Sequence, residues 1–517
     1  MSNMQSQRER NSSNSVNYHD SERAEQKLQL AIACHREGRI KEASSLYEEV
    51  LAAVHDNPCA NFNLATIYHD SGELRKAIAC YKKVLANDAD NFQVLYNLAS
   101  AYRDNGFLEQ SAITFQRALE VDSQHPDIHY NLGILYHQLN FLEESSLRFK
   151  ETLKLEPEHF PSLYNLGAIC FERKLYDKAL EYYNRAHSCD LNDLDCCYNL
   201  GLTHFHLGDY EEAASCYEQV LLKTPEDAAL YNTLGTVYRH LNDYKKAVKY
   251  HQKALDLKPD YGNALTNLAI VFQILGNTRK AITCFERSVE LGYDVESAEY
   301  MITALTGGSR SSAPRSYVER LFDNYAVDFD KSLVKGLNYD VPAKLYALHE
   351  SLFHSNTKYR HVIDLGCGTG LAGEQFRDVA VTLTGVDLSS KMIEQSKRKG
   401  IYNNLHHDDT VDFLKNSTSS YDLVLAADVI VYIGEIDPLF SAVADKISPN
   451  GLFLFSIEEN EGEGYRLRQS GRYAYNRKYI KEISVKHGFL VEYAWSTNLR
   501  KEKDEWIKGC LFALKKV

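Results

Sequence analysis

The sequence predicts a multidomain protein: an all-α array of eight helix hairpins, then an α/β Rossmann-like domain built on a seven-stranded, mostly parallel sheet. Three observations carry this. Small residues recur every 34 positions through the first three hundred residues. Glycine, serine and proline then crowd into residues 307–314. Beyond them, short apolar runs alternate with longer amphipathic stretches, the pattern of strands covered by helices. At 517 residues the chain is also too long for one ordinary core.

The repeat comes first in the chain. The small positions are Ala43, Ala77, Ser111, Ser145, Ala179, Ala213, Ala247 and Ala281. Four residues after each stands Tyr47, Tyr81, Phe115, Phe149, Tyr183, Tyr217, His251 or Phe285, so only His251 breaks an aromatic series. A second small residue, Ala65, Ala99, Gly133, Gly167, Gly201, Gly235 or Ala269, lets two helices approach closely. Pro157, Pro225 and Pro259 punctuate the loops. These residues resemble the tetratricopeptide repeat, with units starting at 24, 58, 92, 126, 160, 194, 228 and 262 and ending at 295. The resemblance implies a superhelix whose concave wall is lined by the first helix of each hairpin, the small residues fitting under a neighbour's aromatic knob. Residues 296–316 read as a capping helix, stopped by Gly307 and Gly308, followed by a linker with the composition of a hinge.

Two positions before the small residue of each first helix stand Asn63, Asn97, Asn131, Asn165, Asn199 and Asn267, with Thr233 as the exception and Gln29 in the divergent first unit. A primary amide offers donor and acceptor together and can pair with both groups of an extended peptide. The row is similar to the inner asparagines of O-linked N-acetylglucosamine transferases, which hold polypeptides. That likeness implies a protein or peptide partner on the concave face. Asparagine is also a common residue at this place in the repeat.

Composition narrows the classes. The net charge of -13 argues against a nucleic-acid binder, and a basic groove is not expected. No apolar run approaches the ~18 residues that span a bilayer. The opening MSNMQSQRERNSSNSVNYHD lacks the apolar core of a signal peptide. The expectation is a cytoplasmic protein without membrane contact, residues 1–23 forming a disordered tail. Eleven cysteines with no C-x-x-C pair fit reduced, buried thiols.

In residues 317–517 strands are expected near 360–365, 382–387, 403–407, 422–427, 451–457, 489–495 and 509–515, the last two as an antiparallel pair. The first strand ends in IDLGCGTG, where the chain turns through Gly366, Gly368 and Gly370 into a helix. Glycine suits a backbone that must take positive φ or approach a ligand. Gly368, Gly370 and Gly373 also satisfy G-x-G-x-x-G, so a dinucleotide competes as ligand.

The context resembles class I methyltransferases, in which an acid, here Asp364, precedes the glycines. By that resemblance Asp387 and Leu388, in LTGVDLSSKMI, would meet the ribose of S-adenosylmethionine. Asp409, in HDDTVDFL, would lie beside the adenine, with Asp408 as the near alternative. Asp428, in YDLVLAADVIVYIG, falls just past the fourth strand. A sulfonium is a cation and gains from carboxylates. Asp364, Asp387 and Asp428 each have a plainer reading as helix-cap or turn residues. His406 and His407 before two aspartates invite a metal reading, but the adenine acid accounts for the stretch, and no metal is expected. YVERLFDNYAVDFDKSL, LNYDVP and SGRYAYNRKYI resemble predicted methyltransferases that carry tetratricopeptide repeats. From such folds Phe322 and Tyr325 are expected to close the pocket, and Arg466, Arg472 and Tyr473, with Asp428, to face the acceptor. Two other functions stay open: an adaptor whose methyltransferase fold is inactive or senses cofactor, and an enzyme acting on a small carboxylic acid or carrier-protein thioester.

Overall fold

The computed structural model describes residues 22–326, 329–352, 357–502 and 505–517; of the expected N-terminal tail, residues 1–21 lie outside them. The chain divides into two compact units, Met1–Thr203 and His204–Val517.

In its described residues the first unit is built of helices joined by short turns. After a helix over 22–36 come Ile40–Ala53, Pro58–Asp70, Leu74–Asn87, Phe92–Asp104 and Leu108–Val121, then Pro126–Gln138, Leu142–Leu155, Phe160–Glu172 and Tyr176–Cys189. The first helices of successive hairpins therefore start at 58, 92, 126 and 160, the repeat starts that the period predicts. Their starts are built locally. Asn57 and Asn91 accept the amides of Ala60 and Val94, at 2.9 and 3.2 Å, satisfying an end N–H that the helix cannot. The interhelix turn needs one residue at positive φ, supplied by Gly38, Gly72, Gly106, Asn140 and Lys174. Packing then uses the small positions, with one correction. A Cβ at Gly133 would lie 2.6 Å from Phe149, and one at Gly167 2.7 Å from Tyr183. The knob over each small residue thus belongs to its own hairpin, because the two helices that cross most closely are those joined by the short turn.

The second unit holds the later hairpins and the sheet. Tyr210–Lys223, Ala228–His240, Tyr244–Leu257, Gly262–Ile274 and Thr278–Glu290 continue the 34-residue spacing, and Val295–Thr306 is the expected extra helix, ended by Gly307 at φ 78°. The linker is packed rather than loose: Ala313 donates to the Tyr432 carbonyl at 3.1 Å, and Glu435 donates to the Ser311 carbonyl at 2.7 Å.

Among the described residues nine strands follow: β1 Tyr359–Leu365, β2 Ala380–Asp387, β3 Asn404–His407, β4 Tyr421–Ala426, β5 Ile447–Glu459, β6 Tyr465–Leu467, β7 Tyr473–Tyr475, β8 Phe489–Glu502 and β9 Glu505–Lys516. β3, β2, β1, β4 and β5 are parallel in that order, β9 runs antiparallel to β5, and β8 antiparallel to β9. These are the seven expected strands. The hairpin β6–β7 was not expected; it joins the end of β5 through Glu458↔Ala474 and Glu459↔Tyr475. At three residues each, its strands are too short to show an alternating pattern. The helices between strands are Leu371–Phe376, Ser390–Lys399, Thr410–Asn416, Asp437–Lys446 and Arg477–Lys486.

Candidate functional site

A cavity of about 570 Å³ opens beyond the carboxyl ends of β1, β2 and β4, the place where parallel sheets bind ligands. β1 sits between β2 and β4, so its end delivers the glycine turn to the middle of the sheet edge. Gly366, Gly368 and Gly370 have φ of 66°, 54° and 96°. A Cβ at Gly366 would meet Val429 at 2.3 Å, so no side chain fits there. At Gly368 nothing lies nearer than Phe329 at 3.9 Å, and the backbone faces open space in the cavity wall.

Asp387 ends β2 and is tied to that turn. One oxygen accepts Gly368 N–H at 2.8 Å and the other Ser389 N–H at 2.8 Å, while the side chain lines the cavity. Burial raises its pKa to about 6 even though these two amides favour the charged form. Leu388 lines the cavity beside it. Asp409 also lines it. Its Oδ1 caps the helix Thr410–Asn416 through Val411 and Asp412 N–H at 2.9 and 3.1 Å, leaving Oδ2 3.5 Å from Arg315. Asp408 turns instead to the Asp409 amide at 2.8 Å.

Asp428 also lines the cavity, at φ 61°, a backbone region that few non-glycine residues occupy. Its Oδ2 pairs with Arg472 Nη2 at 2.6 Å, and Arg500 lies 3.7 Å from Oδ1. Glu458 joins them, ion-paired with Arg472 Nε at 2.8 Å and accepting Arg500 Nη2 at 2.7 Å and Arg468 Nη1 at 3.1 Å. Burial alone would raise the Asp428 pKa, but Arg472 and Arg500 outweigh it and hold the group below its ordinary value. Arg472 also donates to the Tyr432 hydroxyl at 3.0 Å under the ring of that cavity-lining residue. Asp428 is therefore a fixed anion and a poor proton acceptor.

The remaining expected residues divide. Phe322 lines the cavity and meets Tyr432 edge-on at 5.3 Å. Asp364, Gly370 and Tyr325 do not line it. Asp364 is fully buried beneath the turn, where one oxygen accepts the Tyr402 hydroxyl at 2.6 Å and burial lifts its pKa to about 7. Gly370 faces Ile401 and Tyr402, and Gly373 leaves room for the Tyr402 hydroxyl, so the later glycines of the string serve packing. Arg472 acts from behind Asp428; the Tyr473 hydroxyl is spent on the Arg310 carbonyl at 3.0 Å; Arg466 is exposed on β6. Sequence reasoning missed Ser311, Ser312, Ala313 and Arg315, which line the cavity from the linker side, and Tyr339, which lies inside the quoted LNYDVP.

The asparagine row is less free than its spacing suggests. Asn63, Asn131 and Asn165 donate to the carbonyls of Cys59, Asp127 and Pro161 in their own helices, at 2.9, 2.8 and 2.7 Å. Asn199 donates to the Tyr164 hydroxyl at 2.8 Å, Asn267 to Asn232 Oδ1 at 3.1 Å, and Asn97 accepts from Gln93 at 3.2 Å. Among the described residues no helix is long and apolar enough to cross a membrane, and no group of three or more His, Cys, Asp or Glu side chains is placed to hold a metal.

A methyltransferase-domain family model matches residues 363–453. Tetratricopeptide-repeat models match residues 35–102, 99–140 and three overlapping stretches from 158 to 294. Among curated proteins, a ubiquinone biosynthesis O-methyltransferase of Bartonella tribocorum is 30% identical over 96 residues, 18% of this chain and 39% of that protein. The protein of the same name from Brucella anthropi is 28% identical over 109 residues, 20% of this chain and 44% of its own length. The chain thus spans about two fifths of the curated relatives it matches. Among solved structures, YrrB, described as a TPR protein with an unusual peptide-binding site, is 25% identical, covering 36% of this chain and 95% of its own at a TM-score of 0.34.

Proposed function

From a chain that joins tetratricopeptide repeats to a methyltransferase domain, we propose an S-adenosylmethionine-dependent methyltransferase whose repeats recruit a protein or peptide acceptor. The observation that carries this reading is Asp387, a cavity-lining carboxylate oriented by the Gly368 and Ser389 amides beside a turn without side chains. The donor set suits a cationic nucleoside. Asp387, Asp409 and Asp428 all line the cavity, and Gly368 leaves its side of the wall open. Asp387 and Leu388 would hold the ribose, Asp409 the adenine, and Gly366 and Gly368 the amino-acid portion, with Asp364 supporting the turn from below. When bound, the cofactor supplies an electrophilic methyl group on a sulfonium.

The protein's own part is alignment and exclusion of water. Phe322, Phe329 and Tyr432 enclose the cavity with rings, and Asp428, kept ionised by Arg472, contributes a fixed negative charge. The linker residues Ser311–Ala313 form part of the same wall, which supports a delivery role for the repeats. Calorimetry with S-adenosylmethionine tests the reading. Asp387→Ala should weaken binding roughly tenfold to a hundredfold, the scale of a lost charge-assisted pair; unchanged affinity would refute it. Release of S-adenosylhomocysteine with cell extract, with and without the repeats, tests the delivery role.

A further inference from the structure

Arg239 lies in the helix Ala228–His240 and is only 9% exposed. Its Nη1 reaches the Tyr325 hydroxyl at 3.5 Å, its Nη2 donates to His240 Nε2 at 3.3 Å, and its Nε is buried without a hydrogen-bond partner. Among the described residues no carboxylate pairs with it. The groups around it are neutral: burial, with a smaller effect of the Arg239 charge itself, drives the pKa of both His240 and His251 down to about 3. The chain has acids in excess, with a net charge of -13, yet among the described residues none forms an ion pair with Arg239. Taking a guanidinium out of water without a counter-charge is costly.

A second observation points to the same spot. The seventh hairpin is where the repeat departs from its own pattern, with Thr233 in the asparagine row and His251 in the aromatic series. The His251 ring packs against Gly235, donates from Nδ1 to Asn232 Oδ1 at 2.9 Å, and has a buried Nε2 with no partner. Polar groups with unmet bonding capacity thus gather on one hairpin around one unpaired cation.

The position relates this cluster to the cavity. Tyr325, which Arg239 meets, does not itself line the cavity but is 36% exposed. On the helix Arg315–Tyr325 it stands one turn beyond Phe322, and Phe322 and Phe329, rings 6.0 Å apart, both line the cavity. We propose that Arg239 is the centre of an oxyanion-binding site beside the cavity, taking the carboxylate or phosphate group of a ligand. Resting on the proposed function, that group is the anionic handle of the methyl acceptor, held by the repeats while the reactive end enters the cavity. Arginine suits this because its planar fork donates two parallel bonds to either oxyanion.

The test uses the full-length protein at constant ionic strength, titrated with inorganic phosphate and with glutarate and followed by calorimetry and thermal unfolding. Saturable binding of at least one anion is expected. Arg239→Gln should weaken it roughly tenfold or more, Arg239→Lys by less, and Tyr325→Phe by no more than about twofold. The better-bound anion tells a phosphoryl from a carboxyl handle. Absence of saturable binding by the wild type, or equal binding by wild type and Arg239→Gln, would overturn the site. S-adenosylhomocysteine is titrated in the same samples. Its retained binding by Arg239→Gln shows an intact fold, whereas its failure to bind the wild type counts against the methyltransferase reading and leaves the anion result standing.

Discussion

The hydroxyl of Tyr300, fully buried in the helix that caps the repeats, donates to the carbonyl of Gly471 at 2.9 Å. Gly471 belongs to the β6–β7 turn, which is closed by Gly471 N–H to Arg468 O and Arg468 N–H to Arg472 O, each at 2.9 Å. Gln273 adds a bond to the Gln469 carbonyl at 2.8 Å. The next residue is Arg472, which holds Asp428. The end of the repeats therefore supports the turn that presents the arginine behind the cavity.

Removing that support should cost stability. Tyr300→Phe leaves the Gly471 carbonyl without its donor and should lower the unfolding free energy by about 1–3 kcal/mol. Gly471→Ala should cost at least as much, because φ is 77° and a Cβ would lie 2.6 Å from the Tyr317 hydroxyl. Urea unfolding of the full chain measures both; a Tyr300→Phe variant as stable as wild type would contradict the arrangement.

Arg472 is mostly buried and bonds Asp428, Glu458 and Tyr432 together. Arg472→Ala leaves two carboxylates with fewer counter-charges and should destabilise by about 3–5 kcal/mol, the cost of breaking a buried pair from one side. Arg472→Lys keeps the charge but cannot span three partners, so an intermediate loss is expected in the same assay.

Binding of the proposed cofactor should depend on pH with a definite sign. The free protein holds Asp387 near pKa 6 through burial, and a cationic ligand favours its ionised form. Affinity should then fall below about pH 6, and binding there should release up to one proton. Calorimetry in buffers of different protonation enthalpy reads this directly, and proton uptake would be the wrong sign. On folding, Asp387 and Asp364, raised to about 6 and about 7 from 3.8, bind protons that the unfolded chain has lost. Their contribution opposes folding increasingly as pH rises from about 4 to 7.

In the repeats, Gly133→Ala and Gly167→Ala would push a methyl group to 2.6 Å from Phe149 and 2.7 Å from Tyr183. Both rings are buried, at 0% and 2% exposure, with little room to shift. Each substitution should cost about 1–3 kcal/mol by overpacking. Thermal unfolding checks this, and a stabilised variant, as helix propensity alone would give, would show that the rings can move.

The hairpin starts were legible because Asn57, Asn91 and the left-handed turn residues act within a few positions, every 34 residues. The glycine turn and Asp387 were legible for the same reason, being a strand end and its adjoining loop. Asp364 and Tyr473 were less so: their chemistry suits a site, but Asp364 is turned to Tyr402 and Tyr473 to Arg310. Side-chain direction at such places depends on partners that local pattern does not name.

By itself the sequence determined the repeat period, the change to a parallel sheet, and the glycine turn with Asp387 at its cavity, since periodicity and turn chemistry are short-range properties. Only the tertiary structure decided that Asp428, Glu458, Arg472 and Arg500 share one buried cluster, that Ser311–Ala313 wall the cavity, and that Arg239 meets Tyr325. Before folding, each of those charges is one among many in a chain that is 25% charged. Burial, which makes an ion pair strong and an unpaired cation costly, exists only once distant segments have packed.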